Sequence, residues 1–283
     1  MSRRGQIVRR AGQECRAELV KLIKQAAYKH AVWEIWQDLM FMGAAALAQP
    51  CQWKQEREDE YMRRISKYDK ATQGLFPLMF AEIVAALESE GCADVLGGIY
   101  MELELGNHWN GQFFTPDSVC RAMARINSGA EQMKAEIESK GYISVNDCCC
   151  GGGAMLIAFA DECKTQGIDF QHDVLFVGQD VDPVVAHMCY IQMSLLGMPG
   201  YVIIGNTLAA DFSGYDYWFT PLYFLHGFTW RRQRLEELPD TQKALTVTKQ
   251  AESVTEQAEA VIDAPVFDIN LNETGTGQLA FNF

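Results

Sequence analysis

The run N-D-C-C-C-G-G-G-A at residues 146–154 sets three glycines between a short apolar stretch and a longer one. Glycine lets a backbone turn sharply and approach a ligand closely, and a helix starting there offers unpaired N–H groups. The run has no G-K-[ST], and Leu156 stands where G-x-G-x-x-G needs its third glycine, so triphosphates and dinucleotides rank low as ligands. Asp147, just ahead of the glycines, suits a cationic amino group better than a phosphate. At residues 177–183 comes V-G-Q-D-V-D-P, where Asp180 is placed to accept hydrogen bonds from both ribose hydroxyls. Each such bond to a charged acceptor contributes about 1.5–3 kcal/mol. The stretch I-I-G-N-T at residues 203–207 ends a third strand and contains Asn206, whose amide fits the edge of an adenine. Singly, each of these residues is as readily a turn or helix-cap residue. Together, an acid, an acid and an amide at three successive strand ends describe a nucleoside site.

The elements that must position them alternate after Pro116. The pattern predicts strands over residues 143–146, 174–179 and 202–204, a short fourth strand over 217–219, and helices over 154–166 and 183–196. That alternation is the signature of a doubly wound parallel sheet. Ahead of it, residues 12–47 read as one long helix or two, with further helices over 55–68 and 76–90. The expected organisation is a helical subdomain over residues 1–93, an α/β domain over 94–234 and an acidic, mobile tail over 235–283.

Composition narrows the class. With 48% hydrophobic and 22% charged residues, the chain can bury a real core. Glu34, Gln37 and Asp38 interrupt its longest greasy stretch, residues 31–48, so no membrane span is expected. Nine cysteines and no secretory signal point to a reducing cytoplasm. No cysteine pair has C-x2-C spacing, and the three consecutive ones, Cys148 to Cys150, converge poorly on one ion, so no metal is expected. The net charge of −13 opposes nucleic-acid binding, although basic residues crowd the first thirty positions and acidic ones the last fifty.

Four ordered motifs carry a family resemblance. G-Q-F-F-T-P at 111–116, D-C-C-C-G-G-G at 147–153, G-Q-D-V-D-P at 178–183 and G-N-T-L at 205–208 resemble the modification subunits of type I restriction systems and related N6-adenine DNA methyltransferases. The resemblance implies a Rossmann-like, S-adenosylmethionine-dependent methyltransferase fold preceded by helices. It also implies roles for single residues. Phe114, Thr115 and Pro116 would cover the methionine moiety of S-adenosylmethionine, and Asp147, Gly151 and Gly153 would form its loop. Asp180 would hold the ribose and Asn206 the adenine. Cys150 matches the family's cysteine in that loop and reads as packing.

The family holds its flipped adenine with Asn or Asp followed by Pro-Pro and an aromatic. Here the nearest segment is T-P-L-Y at residues 220–223, so Thr220, Pro221 and Tyr223 are the candidate base-binding residues, in a degenerate form with a hydroxyl where the acceptor should be. The same segment also reads as an aromatic strand and turn packing a sheet edge. The alternation stops there, so the later strands of the family's sheet are missing from the pattern. Either another chain supplies them or catalysis is lost. The expected function is methyl transfer to adenine N6 in DNA, alongside a specificity or target-recognition subunit. The alternative is an inactive methyltransferase-fold module that binds DNA or a partner, and a third reading is methylation of a protein or small molecule. Finally, Q-L-A-F-N-F, from Gln278 to Phe283, looks like the short peptides that dock on the bacterial sliding clamp.

Overall fold

A computed structural model describes residues 11–105, 115–209 and 214–236. The chain divides after Gln233 into two units, and the fold is that of the first. Six helices come first: α1 (Gly12–Ala26), α2 (Val32–Ala48), α3 (Gln55–Ile65), α4 (Lys70–Gln73), α5 (Leu75–Glu90) and α6 (Val95–Glu102). The apolar repeat over residues 12–47 thus resolves into two helices. Leu19, Leu22, Ile23 and Ala26 recur at helical spacing on α1 and are buried, as are Ile35, Trp36, Leu39 and Met40 on α2. By length and composition the run Lys70–Glu90 would pass for a membrane span. In the fold, its α5 part packs against α1 and buries Phe76, Met79, Ile83, Ala86 and Leu87.

The α/β part follows, with α7 (Asp117–Asn127), α8 (Ala130–Lys140), β1 (Ile143–Asp147), α9 (Ala154–Thr165), α10 (Phe170–Asp173), β2 (Val174–Asp180), α11 (Pro183–Leu195), β3 (Gly200–Ile204) and β4 (Asp216–Phe219). Two helices, α12 (Pro221–Leu225) and α13 (Phe228–Glu236), close the described chain. The strand order is β1-β2-β3-β4. β1, β2 and β3 run parallel, Asp147 opposite Gly178 and Asp180 opposite Ile204, so their C-terminal ends share one edge of the molecule. α11 lies between the sheet and α2, and it is apolar almost all round because it is covered on both sides. α9 packs against β1 and α7.

β4 corrects the expectation of a wholly parallel sheet, because it pairs antiparallel with β3, Phe219 opposite Tyr201. The connection, residues 205–215, is shorter than the dozen or so residues that a crossover to a parallel strand requires. The outer edge of β4 is closed by side chains from the helical part. The Tyr217 carbonyl accepts from Gln52 Nε2 at 3.0 Å and from Arg57 Nη2 at 2.9 Å, and the Phe219 N–H donates to Gln52 Oε1 at 3.3 Å.

Candidate functional site

The glycine loop leaves β1 at Asp147 and enters α9 through Gly153. Gly151 has φ +51° and Gly153 φ +95°, conformations that a side chain disfavours. At Gly153 a Cβ would also lie 2.9 Å from the Cys189 sulfur. The loop is tied to both neighbouring strand ends. The Gly151 N–H donates to Asp180 Oδ2 at 2.9 Å, the Cys150 N–H to the Gln179 carbonyl at 2.9 Å, and Thr207 Oγ1 to the Cys148 carbonyl at 2.6 Å. Asp180 Oδ1 accepts from the Asp182 N–H at 2.9 Å. Each carboxylate oxygen keeps a second lone pair for a ligand.

Asp182, the second acid of the same motif, has a different task. It caps α11 by accepting from the Val184 N–H at 2.8 Å, with Pro183 in the first turn. Asp147 accepts from the Cys149 N–H at 3.1 Å through Oδ1. Burial pushes its carboxyl above the ordinary carboxylate range, the Cys149 N–H works against that shift, and the charge of Asp180 adds to it. A cation placed there would relieve both burial and repulsion. Asn206 is exposed, and its Oδ1 accepts from the Leu208 N–H at 3.0 Å.

Several of the expected residues therefore meet. Asp147, Gly151, Gly153, Asp180 and Asn206 lie on or beside the ends of the three parallel strands, and Thr115 lines the same groove as Asp147. Pro116 precedes α7 as its N-cap, and Phe114 lies outside the described residues. Cys150 is buried against Cys189. The Cys189 thiol and burial together push the Cys150 thiol far up, so it stays protonated and serves as packing.

Thr220, Pro221 and Tyr223, the candidate base-binding residues, lie away from the ends of the three parallel strands. The Gly200 N–H donates to Thr220 Oγ1 at 3.0 Å, and that hydroxyl donates to the Met198 carbonyl at 2.9 Å. Thr220 thus sits fully buried at the start of β3, a whole strand away from Asp180. The Tyr223 ring is packed among Tyr201, Phe219 and Phe228. The cause is strand direction: an antiparallel β4 delivers its C-terminal end to the opposite edge of the sheet.

The sequence reading missed four contributors. Gln192 of α11 is fully buried; its Nε2 donates at 2.8 Å to both the Gly152 carbonyl and Asp94 Oδ1, and its Oε1 accepts from the Leu96 N–H. It braces the loop against the start of α6. The Tyr215 hydroxyl donates to the Asn206 carbonyl at 2.6 Å. Val181 and Leu208, following Asp180 and Asn206, are 68% and 94% exposed, which for apolar side chains at two neighbouring strand ends suits a flat ring. Only exposure separates Val181 and Leu208 from ordinary core residues, and sequence pattern does not report it.

The family model for N-6 DNA methylase matches residues 93–275, well over half of the chain. The chain belongs to this family. S-adenosylmethionine is its methyl donor. Among solved structures, the chain is similar to a protein from Listeria monocytogenes described as a class I S-adenosylmethionine-dependent methyltransferase, with 16% identity over 71% of this chain and 56% of that one and a TM-score of 0.37. It is also similar to a type I restriction-modification system methyltransferase subunit from Streptococcus thermophilus, with 15% identity over 71% of this chain and 53% of that one and a TM-score of 0.29. The chain spans about half the length of these structures. No curated protein matches it.

The donor groups on this N-6 DNA methylase chain fit the methyl donor chemically. Two carboxylates stand at adjacent strand ends, one desolvated and one held by backbone N–H groups, and the loop between them turns through Gly151 and Gly153 at positive φ.

Proposed function

We propose that the ends of β1, β2 and β3 hold S-adenosylmethionine and that the chain is the donor-site module of a DNA methyltransferase acting on adenine N6. The observation that carries this reading is the Gly151 N–H on Asp180, which joins the glycine loop to a second carboxylate beside Asp147. When bound, the cofactor supplies an electrophilic methyl group on sulfur. Asp147 pairs with the amino group of its methionine moiety, and Thr115 and Pro116 cover that end, together with Phe114. Asp180 accepts from the ribose hydroxyls. Val181 and Leu208 flank the adenine, and Asn206 faces its edge. DNA is the acceptor, and a specificity subunit positions it. The group that receives the target base comes from outside residues 220–223.

Calorimetry with S-adenosylmethionine tests the donor site, with binding at micromolar affinity expected in the parent chain and lost in Asp180→Ala. Transfer of labelled methyl from the cofactor to unmethylated DNA, with and without a specificity subunit, tests the reaction. Cofactor binding without transfer to any DNA would replace this reading by a second one, a non-catalytic methyltransferase-fold module, which the burial of Thr220 favours. The sliding-clamp peptide, Gln278 to Phe283, lies outside the described residues. Its deletion should abolish retention on immobilised clamp, and unchanged retention would remove the clamp as a partner.

A further inference from the structure

Cys148 and Cys149 are consecutive and exposed, and they form the turn between β1 and the glycines. The residues assigned to the methyl donor leave both thiols unused. Cys15, Cys120, Cys150, Cys163 and Cys189 are buried, Cys92 is half-buried, and Cys51, which is also exposed, stands alone in the sequence. The two sulfurs lie within hydrogen-bonding reach of each other. Desolvation first, and then the Cys148 sulfur, raise the Cys149 thiol above its ordinary range.

The peptide unit between these two residues holds the loop at both ends. Its carbonyl accepts from Thr207 Oγ1 at 2.6 Å, and its N–H donates to Asp147 Oδ1 at 3.1 Å. One flat amide thus ties the acid at the end of β1 to the residue that follows Asn206 beyond β3. Cα atoms across a trans peptide stand about 3.8 Å apart, whereas a disulfide prefers about 4.4–6.8 Å. A bond between adjacent cysteines therefore closes only if this amide twists. Twisting turns its carbonyl and N–H away from partners that are set for the flat form. Exposed and constrained disulfides are also the readily reduced ones, so the change is reversible.

We propose that Cys148 and Cys149 are an oxidation site, which a peroxide closes to a disulfide, and that closure loosens the loop's hold on the methyl donor. One sulfur attacks the peroxide as its thiol proton leaves; the O–O bond breaks, and a sulfenic acid and one water result. The neighbouring sulfur then attacks the sulfenic sulfur, so that the S–S bond forms, the S–O bond breaks and a second water departs. The two thiols lose two electrons and two protons, and the peroxide takes them up as water. The bond stands on the geometry of the turn, and its effect on the methyl donor rests on the donor-site reading.

The test treats the full chain with hydrogen peroxide. Differential alkylation after unfolding should find Cys148 and Cys149 blocked together, with Cys150, Cys163 and Cys189 still free. In the cofactor-free oxidised chain, the Cys149 amide should exchange its hydrogen about tenfold faster. Calorimetry should show S-adenosylmethionine bound about tenfold more weakly, as loss of one hydrogen bond to a carboxylate entails, with recovery in dithiothreitol. Cys148→Ser should show neither change on treatment. A different cysteine pair, a disulfide between chains, or an amide that keeps its protection overturns the proposal, as does equal affinity in the oxidised and reduced chains. A reduced chain that binds no S-adenosylmethionine refutes the donor-site reading instead, and alkylation and exchange then decide the bond by themselves.

Discussion

Asp180 gives one carboxylate oxygen to the Gly151 N–H and the other to the Asp182 N–H, so its replacement acts on loop and ligand together. Asp180→Asn should weaken S-adenosylmethionine by about ten- to a hundredfold, the equivalent of one charged hydrogen bond, as measured by calorimetry. Asp147 adds a pH signature. A cationic ligand needs its ionised form, and burial holds its pKa above the ordinary value. Affinity should therefore begin to fall on acidification at a higher pH than for an ordinary carboxylate, and Asp147→Asn should be weaker throughout and lack that limb. At Gly153 two costs combine, the positive φ and the approach to Cys189. Gly153→Ala should destabilise the chain by about 1–3 kcal/mol, and adding Cys189→Ala should restore only the steric part. Both are read from denaturant midpoints.

At the scale of elements, β4 depends on α3 and the loop before it. Arg57 is 4% exposed, stacks 3.6 Å over the Trp218 ring and bonds to Asp216 Oδ1 at 3.0 Å. Arg57→Met keeps the packing but removes one of the two donors to the Tyr217 carbonyl and one partner of Asp216, and should cost about 2 kcal/mol because Asp216 remains partly solvated. Exchange should then accelerate at the β4 amides before those of β2, a difference that hydrogen exchange resolves. The helices with an uninterrupted apolar stripe, α1, α2, α5, α9 and α11, were legible in the sequence, as were all four strands within two residues. α6, α7 and α8 were not. Val95–Glu102 is short and glycine-containing, and Asp117–Asn127 buries only Cys120 and Ala124, too few positions to make a period visible.

For the molecule as a whole, the seam between helices and sheet holds a titratable group that must stay neutral. His187 of α11 lies edge-on to Phe41 and Trp218, and burial, reinforced by Arg64 and Arg57 and opposed by Asp216, lowers its pKa to about 3. The folded state binds its proton later than the unfolded one, so this contribution is complete above pH 6.5 and is lost as pH falls toward 3. The loss is on the order of 4 kcal/mol over that window. Chemical denaturation between pH 7 and 4 should show the decline in the parent and a flatter profile in His187→Phe.

The sequence alone determined the parallel core of the sheet and the strand ends that meet along one edge of it. Strand, glycine turn and helix are local patterns, and three of them in a row bring Asp147, Asp180 and Asn206 to one edge by parallel connection. The direction of β4 was decided only in the tertiary structure, because pairing is a choice between neighbours and T-P-L-Y reads the same either way. That choice buries Thr220 at the far edge, lets Gln52 and Arg57 close β4, and, among the described residues, leaves β1 paired with β2 alone. Backbone hydrogen bonds must be satisfied somewhere, and only the folded chain shows which edge its own side chains serve.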